Sequence, residues 1–457
     1  MYNIGMFKPI HGVILSVVLM NIATGAMVTW SSPVIPKLTT GNYYGRPLTT
    51  DETTWMTSLM TLGAAVGTLV SACIADRIGK KKASLVMLAP SVLGYAVISI
   101  VRVIGVLYFC RFLAGLSIGG MTTVVPTYTG EIASKEKRGS MLAIVGSSAV
   151  LGFLFSYSVG PYVSVLTLNL LIMGLSLLSG TLFMIFASET AYFYILRGDK
   201  QGAEAALRRF RSSEEEIKME LLEISIRIRE EPQGNIFDLV KSTTVLKSYF
   251  VAVMLLVFQN LTGITAVQYY SQPIFDMIGV DIPTELCPII LGCIQYVGGF
   301  TALFVYDKFG RKIIMYVTAV VMILAEVPLG VFCYLKDRGD DVSSISFLPL
   351  VCLSVFIFFY NLGWGMIPWV IAAEIFPAKL RVTGICAVAF INWIMVFIIT
   401  KTFDSMVRTF TLGVLFWIFA TSCLISIIFV KFMVTETRGK SLEEIQDALK
   451  KKATSPK

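Results

Sequence analysis

Apolar residues in this chain gather into long blocks set apart by short charged stretches. A helix that crosses a bilayer needs about 20 largely apolar residues, and twelve blocks reach that length. In the first half they are residues 11–31, 54–75, 83–101, 104–128, 139–161 and 163–187. A polar stretch, 188–247, follows, and then come 248–275, 285–306, 313–335, 346–373, 381–402 and 411–432. The pattern predicts an all-α membrane protein of twelve transmembrane helices. Within 188–247, Ser213 and Glu216 make a capping-box pattern, and Ile217, Leu221, Ile224 and Ile228 form one apolar face. A short helix lying under the bundle as a brace is expected there.

Composition agrees with a lipid solvent. Of 457 residues, 55% are hydrophobic and 15% charged, and mean hydropathy is +0.75; soluble chains carry about 25% charged residues. Twelve spans put both termini on one side. Of the 38 Lys and Arg, 30 fall on that side, seven on the other, and Arg111 lies inside a span. By the positive-inside rule that side is the cytoplasm. The formal net charge of +8 is therefore topological, and a nucleic-acid partner is not expected. The first span is expected to serve as its own insertion signal, with no cleavable leader.

The chain also repeats itself. Asp76-Arg77-Ile78-Gly79-Lys80-Lys81 after span two is echoed by Asp307-Lys308-Phe309-Gly310-Arg311-Lys312 after span eight. Glu131 precedes Arg138 as Glu374 precedes Arg381, and Ser188-Glu189-Thr190 pairs with Thr435-Glu436-Thr437. These echoes mark a parallel duplication: a six-helix bundle at 1–187, a cytoplasmic helical linker at 188–247, a second bundle at 248–434 and a tail at 435–457. Two such bundles can rock about a midplane site held between them.

Several chemistries are excluded. One histidine, His11, cannot build a Ser-His-Asp triad or a paired-histidine metal site. Gly439-Lys440-Ser441 resembles the end of a P-loop, but Val434 occupies the first glycine position. The eight cysteines are scattered singly, without C-x-x-C, and read as small core residues. No enzyme, metal or cofactor is expected.

With Arg111-Phe112-Leu113-Ala114-Gly115, Pro126-Thr127-Tyr128-Thr129-Gly130-Glu131, Gln259-Asn260-Leu261-Thr262-Gly263-Ile264, Tyr269-Tyr270, Ile367-Pro368-Trp369, Asn392-Trp393 and Glu436-Thr437-Arg438-Gly439, the chain resembles the sugar porter family of the major facilitator superfamily. In style it is most like the insect facilitated trehalose and hexose transporters. Neutral sugars present hydroxyls, so their site needs side-chain amides, hydroxyls and an aromatic face. Gln259, Asn260, Thr265, Gln268 and Tyr269 on span seven, Gln295 on span eight, Asn361, Trp364 and Trp369 on span ten, and Asn392 and Trp393 on span eleven supply that inventory. Each amide could instead serve as an interhelical hydrogen bond, and Gly263 can interrupt span seven over a ligand. Against the family pattern, Asn260 and Asn361 replace a glutamine and an acid, Gly146 and Val396 replace amides, and Met366 replaces a hinge proline, so glucose specificity does not carry over.

Glu131, Glu189, Glu374 and Glu436 lie at helix ends beside Arg77, Arg138, Arg311, Arg381 and Arg438. Carboxylate–guanidinium pairs of this kind are strong and geometrically fixed. The resemblance implies an inner charge network that latches the halves when the cytoplasmic side is shut; the plainer alternative is anchoring of helix ends. Proton-driven members carry an aspartate on span one, whereas residues 1–50 hold no acid here. The expected function is facilitative transport of a neutral sugar across the cell membrane. A non-transporting sugar sensor, a facilitator of another small solute, and a proton symporter using Glu326 on span nine are the alternatives. Gly63-Ala64-Ala65-Val66-Gly67 and Gly115-Leu116-Ser117-Ile118-Gly119 are expected to be close-packing faces.

Overall fold

The computed structural model describes residues 9–438 except 42, 135, 212, 231–242, 307 and 378–379, together with Glu444. The expectations for Asp307, the later linker and the tail beyond 438 lie outside these residues, as does the side chain of Arg381. All described elements are helical. They are α1 (Pro9–Thr29), α2 (Ser31–Thr40), α3 (Thr50–Ile78), α4 (Lys80–Ile100), α5 (Ile104–Ile132), α6 (Arg138–Val159) and α7 (Val165–Phe186) in the first repeat. Between the repeats come α8 (Ala191–Leu196), α9 (Lys200–Arg208) and α10 (Glu214–Glu230). The second repeat holds α11 (Thr243–Leu261), α12 (Ile264–Ile278), α13 (Leu286–Val305), α14 (Arg311–Asp337), α15 (Leu348–Leu362), α16 (Ile367–Ile375) and α17 (Arg381–Met433).

Eleven helical stretches among the described residues are long and apolar enough to cross a membrane. The twelfth span is inside the eleventh stretch. A straight helix of 53 residues would run roughly 80 Å, more than twice the hydrocarbon thickness of about 30 Å. The chain breaks it at Thr411, whose φ of 63° and ψ of 160° leave the helical region, so spans eleven and twelve are two helices that meet at a kink. Span seven breaks at Gly263, which takes a φ of 87° between α11 and α12. Span ten breaks between Leu362 and Ile367, parting α15 from α16.

Local chemistry explains where the helices begin. At α3, Thr49 and Glu52 form a capping box, with Thr49 N–H donating to Glu52 Oε2 at 2.8 Å and Glu52 N–H to Thr49 Oγ1 at 3.3 Å. At α7, the Ser164 hydroxyl accepts from Thr167 N–H at 3.0 Å.

The chain forms two compact units. The first comprises Met1–Val28, Leu59–Ser156 and Val163–Gln233. Its core brings Val13, Val17, Met20, Met87, Leu88, Met121, Tyr128 and Phe183 together. The glycine faces of spans two and four meet here: a Cβ on Gly115 or Gly119 would overlap the carbonyl oxygens of Met60 and Ala64, and one on Gly63 or Gly67 those of Phe112 and Leu116. Backbones come this close only between small residues. The linker helix α10 turns Ile217 inward, with Leu221 and Ile224, against Ala203 and Leu207. Arg211 fastens this layer to the end of span four, bonding Glu220 through two nitrogens at 2.9 and 3.0 Å and the Ile132 carbonyl at 3.1 Å.

The second unit comprises Thr29–Ser58, Tyr157–Tyr162 and Gly234–Lys457. Compactness thus groups the ends of spans one, two and five that lie far from the termini with the second repeat. Large apolar side chains such as Leu93, Phe109, Met184, Leu324 and Phe432 are exposed on helix surfaces, while Ser91, Asn169, Gln259 and Gln295 are buried. Such an apolar exterior over a partly polar interior requires lipid outside.

Candidate functional site

The two helix breaks of the second unit create the polar cluster. An interrupted helix exposes carbonyls that have no partner one turn on, and buried carbonyls need donors. Gln259, in the last turn of α11, supplies them: its Nε2 donates to the Trp364 carbonyl at 2.6 Å and the Gly365 carbonyl at 3.0 Å. The same amide hydrogen-bonds the Tyr360 side chain. One residue on, Asn260 Nδ2 donates to Asn392 Oδ1 at 2.7 Å and to Leu256 O at 2.8 Å. Its Oδ1 accepts from Thr265 Oγ1 at 2.9 Å, across the Gly263 break. Spans seven, ten and eleven are therefore joined by amides rather than by apolar packing alone.

Trp364 is fully buried and donates its indole N–H to Met315 O at 3.2 Å, which fixes the plane of its ring. Gln295 is buried on span eight. One turn beyond it, Gly298 lets span ten approach, since a Cβ there would stand 3.3 Å from the Asn361 Cβ. Asn361 turns its own amide back to Ile357 O at 2.8 Å. Tyr269 is buried, and its carbonyl accepts from Ser31 Oγ at 3.0 Å; the Gln268 carbonyl accepts from Tyr157 Oη at 2.7 Å. Among the described residues no hydrogen bond joins the side chains of Gln268, Trp369 or Trp393 to this network, and all three are half-buried. Sequence reasoning missed Tyr360, Tyr157, Ser31 and Ser32. Tyr360 lies one residue before Asn361 on an apolar stretch, so only its partner marks it.

The helix-end charges sort into two repeated motifs, each inside one unit. In the first, Glu189 accepts from Lys80 N–H at 2.9 Å, from Lys81 N–H at 3.1 Å and from Thr190 N–H at 3.1 Å. In the second, Glu436 accepts from Arg311 N–H and Lys312 N–H at 3.1 Å, and from Thr437 N–H at 3.0 Å and Arg438 N–H at 3.1 Å. These two carboxylates bond backbone N–H groups at the N-termini of α4 and α14, where the helix dipole favours an anion. A glycine stands at each approach: a Cβ on Gly79 or Gly310 would overlap Glu189 or Glu436. Burial pushes the Glu436 carboxyl up, and its four backbone donors pull it down further, leaving it below its ordinary value.

Glu131 pairs with Lys80, and Glu374 with Arg311 at 3.4 Å. The second oxygens of Glu131 and Glu374 and the Nε of Arg138 are buried without a partner among the described residues. Arg197 donates to the Arg77 carbonyl, and Arg438 to the Lys308 carbonyl at 2.7 Å. Inside the first unit Arg111, 1% exposed, donates to Tyr95 Oη at 3.3 Å and Met27 O at 3.5 Å. Glu326, buried on span nine, receives Cys423 Sγ of span twelve at 3.7 Å. No group of His, Cys, Asp and Glu that could hold a metal occurs among the described residues.

The profile of the sugar (and other) transporter family matches residues 15–449. The facilitated trehalose transporter Tret1 of Bombyx mori is 33% identical over 402 residues, which cover 87% of this chain and 79% of that one. Tret1 of Culex quinquefasciatus is 31% identical over 437 residues, covering 94% and 84%. Among solved structures, the inward-open xylose transporter XylE from E. coli aligns with a TM-score of 0.80 at 20% identity, over 96% of this chain and 99% of that one. That likeness is one of fold, the two-repeat arrangement of major facilitators.

Proposed function

Because the chain belongs to the sugar (and other) transporter family, we propose that it carries a neutral sugar, a hexose or a disaccharide such as trehalose, down its gradient by alternating access. The observation that carries this reading is the amide network at the two helix breaks. Gln259, Asn260, Asn392 and Thr265 hold spans seven, ten and eleven through bonds that a sugar hydroxyl can replace one for one. Trp364, its ring fixed by the Met315 carbonyl, offers the apolar face that a pyranose ring stacks on. Gln295, Asn361, Gln268, Tyr269, Trp369 and Trp393 complete the inventory on the same spans.

In this reading the protein sits in the cell membrane with both termini in the cytoplasm, an orientation that the Lys and Arg distribution supports. On that side, Glu131, Arg138 and Glu374 are half-satisfied. They are the charges, with Arg381, that change partner as the cytoplasmic side opens and shuts; Glu189 and Glu436 stay with their helix N-termini and keep each repeat rigid through the motion.

The test is reconstitution in liposomes with labelled trehalose, hexoses and polyols. Saturable flux of a neutral sugar is expected. Binding without flux indicates a sensor, and flux of non-sugars alone overturns the reading.

A further inference from the structure

Lys401 pairs with Asp51, and neither residue has a place in the site described above. Its Nζ lies 2.6 Å from Asp51 Oδ1, 3.3 Å from Thr54 Oγ1 and 4.2 Å from the centre of the Trp55 ring. Asp51, Thr54 and Trp55 occupy one face of the first turns of α3, at the spacing that brings helical side chains together. Lys401 comes from span eleven, 350 residues away. All four residues belong to the second compact unit. An ion pair with one partner 74% exposed is weak alone. Lys401 is 23% exposed and adds a cation–π contact, which strengthens as water is excluded.

The surroundings show what this contact holds. Next to Lys401, the Thr400 carbonyl accepts from Tyr270 Oη at 2.7 Å, and Tyr270 also hydrogen-bonds Thr57. Ser32 Oγ accepts from Gln272 N–H at 3.1 Å. Behind these contacts Ser271 Oγ and Gln272 Oε1 are buried with no partner among the described residues. Burying polar atoms without partners opposes closure, so this packed arrangement needs a compensating attraction.

We propose that Lys401, seated between Asp51 and Trp55, is a latch that holds the outer ends of spans one and two shut against spans seven and eleven. The proposal rests on the alternating-access reading, in which this end must open to admit sugar from outside. The latch is weak by construction: one lysine, one exposed carboxylate and one indole face, set against two orphaned polar atoms. It therefore tunes how often the outer end opens rather than forbidding it.

The test uses Gln272 as a reporter that needs no transport. In a full-length Gln272→Cys protein whose eight native cysteines are replaced, a membrane-impermeant maleimide is applied from outside. Lys401→Met and Asp51→Asn should each raise the labelling rate by about three- to tenfold, and Lys401→Arg should leave it near the starting value. The charge swap Asp51→Lys with Lys401→Asp should restore most of the slow rate. Unchanged rates in both single variants overturn the latch, as does a swap no slower than the singles. Asp51 is exposed, so Asp51→Asn is readable even where Lys401→Met folds poorly. A protein that moves no sugar yet labels as expected would sink the transport reading and leave the latch standing.

Discussion

Gly79 with Glu189, and Gly310 with Glu436, are the same device built twice: a carboxylate laid on a helix N-terminus that only a glycine lets it reach. Glu436→Gln should cost about 1 kcal/mol, the usual worth of a charged group at such a position, read as a lower thermal midpoint in detergent. The pH dependence follows in sign. Because the folded carboxyl lies below its ordinary 4.5, its stabilisation is complete above that pH and is lost as pH falls through the folded value. Wild type should therefore lose stability on acidification below about pH 4.5, and Glu436→Gln should lose less over the same range. At Gly263 the φ of 87° and the Phe419 ring against the missing Cβ make Gly263→Ala destabilising by about 1–3 kcal/mol. The sequence showed these glutamates as an echo at matching places, but their partners are backbone N–H groups, which no residue pattern spells out.

Helix breaks decide the site. Apolar length located the spans to within a few residues, because lipid thickness is a strong constraint on any crossing segment. It also singled out Gly263, since glycine adopts a positive φ at no steric cost. The break before span twelve was legible, since an apolar block opens at 411, but its backbone was not: Thr411 takes a φ of 63°, against the preference of a β-branched residue. The amides on spans seven, ten and eleven were visible as polar residues in apolar blocks, while their mutual bonds depend on how those breaks aim them. Asn260→Leu and Asn392→Leu should each raise the half-saturating sugar concentration several-fold. In a double-mutant cycle their effects should fall short of additive by about 0.6 kcal/mol or more, and strict additivity would show that the 2.7 Å contact is not used.

At the scale of the whole molecule, among the described residues one acid, Glu326, is buried deep in a span, where the Cys423 thiol donates to it. As a facilitator the protein should equilibrate sugar without concentrating it, and a protonophore should leave counterflow unchanged. Glu326→Gln should retain uptake within about twofold, a change below 0.5 kcal/mol; loss of accumulation against a gradient in that variant would establish proton coupling instead. The sequence echoes predict a division at 188–247, yet compactness gathers Thr29–Ser58 and Tyr157–Tyr162 with Gly234–Lys457. Sequence symmetry records how the chain was built, whereas contacts record the conformation it occupies, so the second grouping could not be read from the first.

The two carboxylate caps also set an order of assembly during synthesis. Glu189 follows Lys80 by 109 residues, and Glu436 follows Arg311 by 125. At about 5–20 residues per second, the first turn of span three waits roughly 5–20 seconds after leaving the ribosome before its anion arrives, and span nine waits as long again. Each repeat is thus completed by the last span it makes. A ribosome stalled between Lys312 and Glu436 leaves a finished first repeat beside a second whose ninth span still has bare N–H groups at the membrane surface, a form that quality-control proteases could recognise without inspecting the sugar site at all.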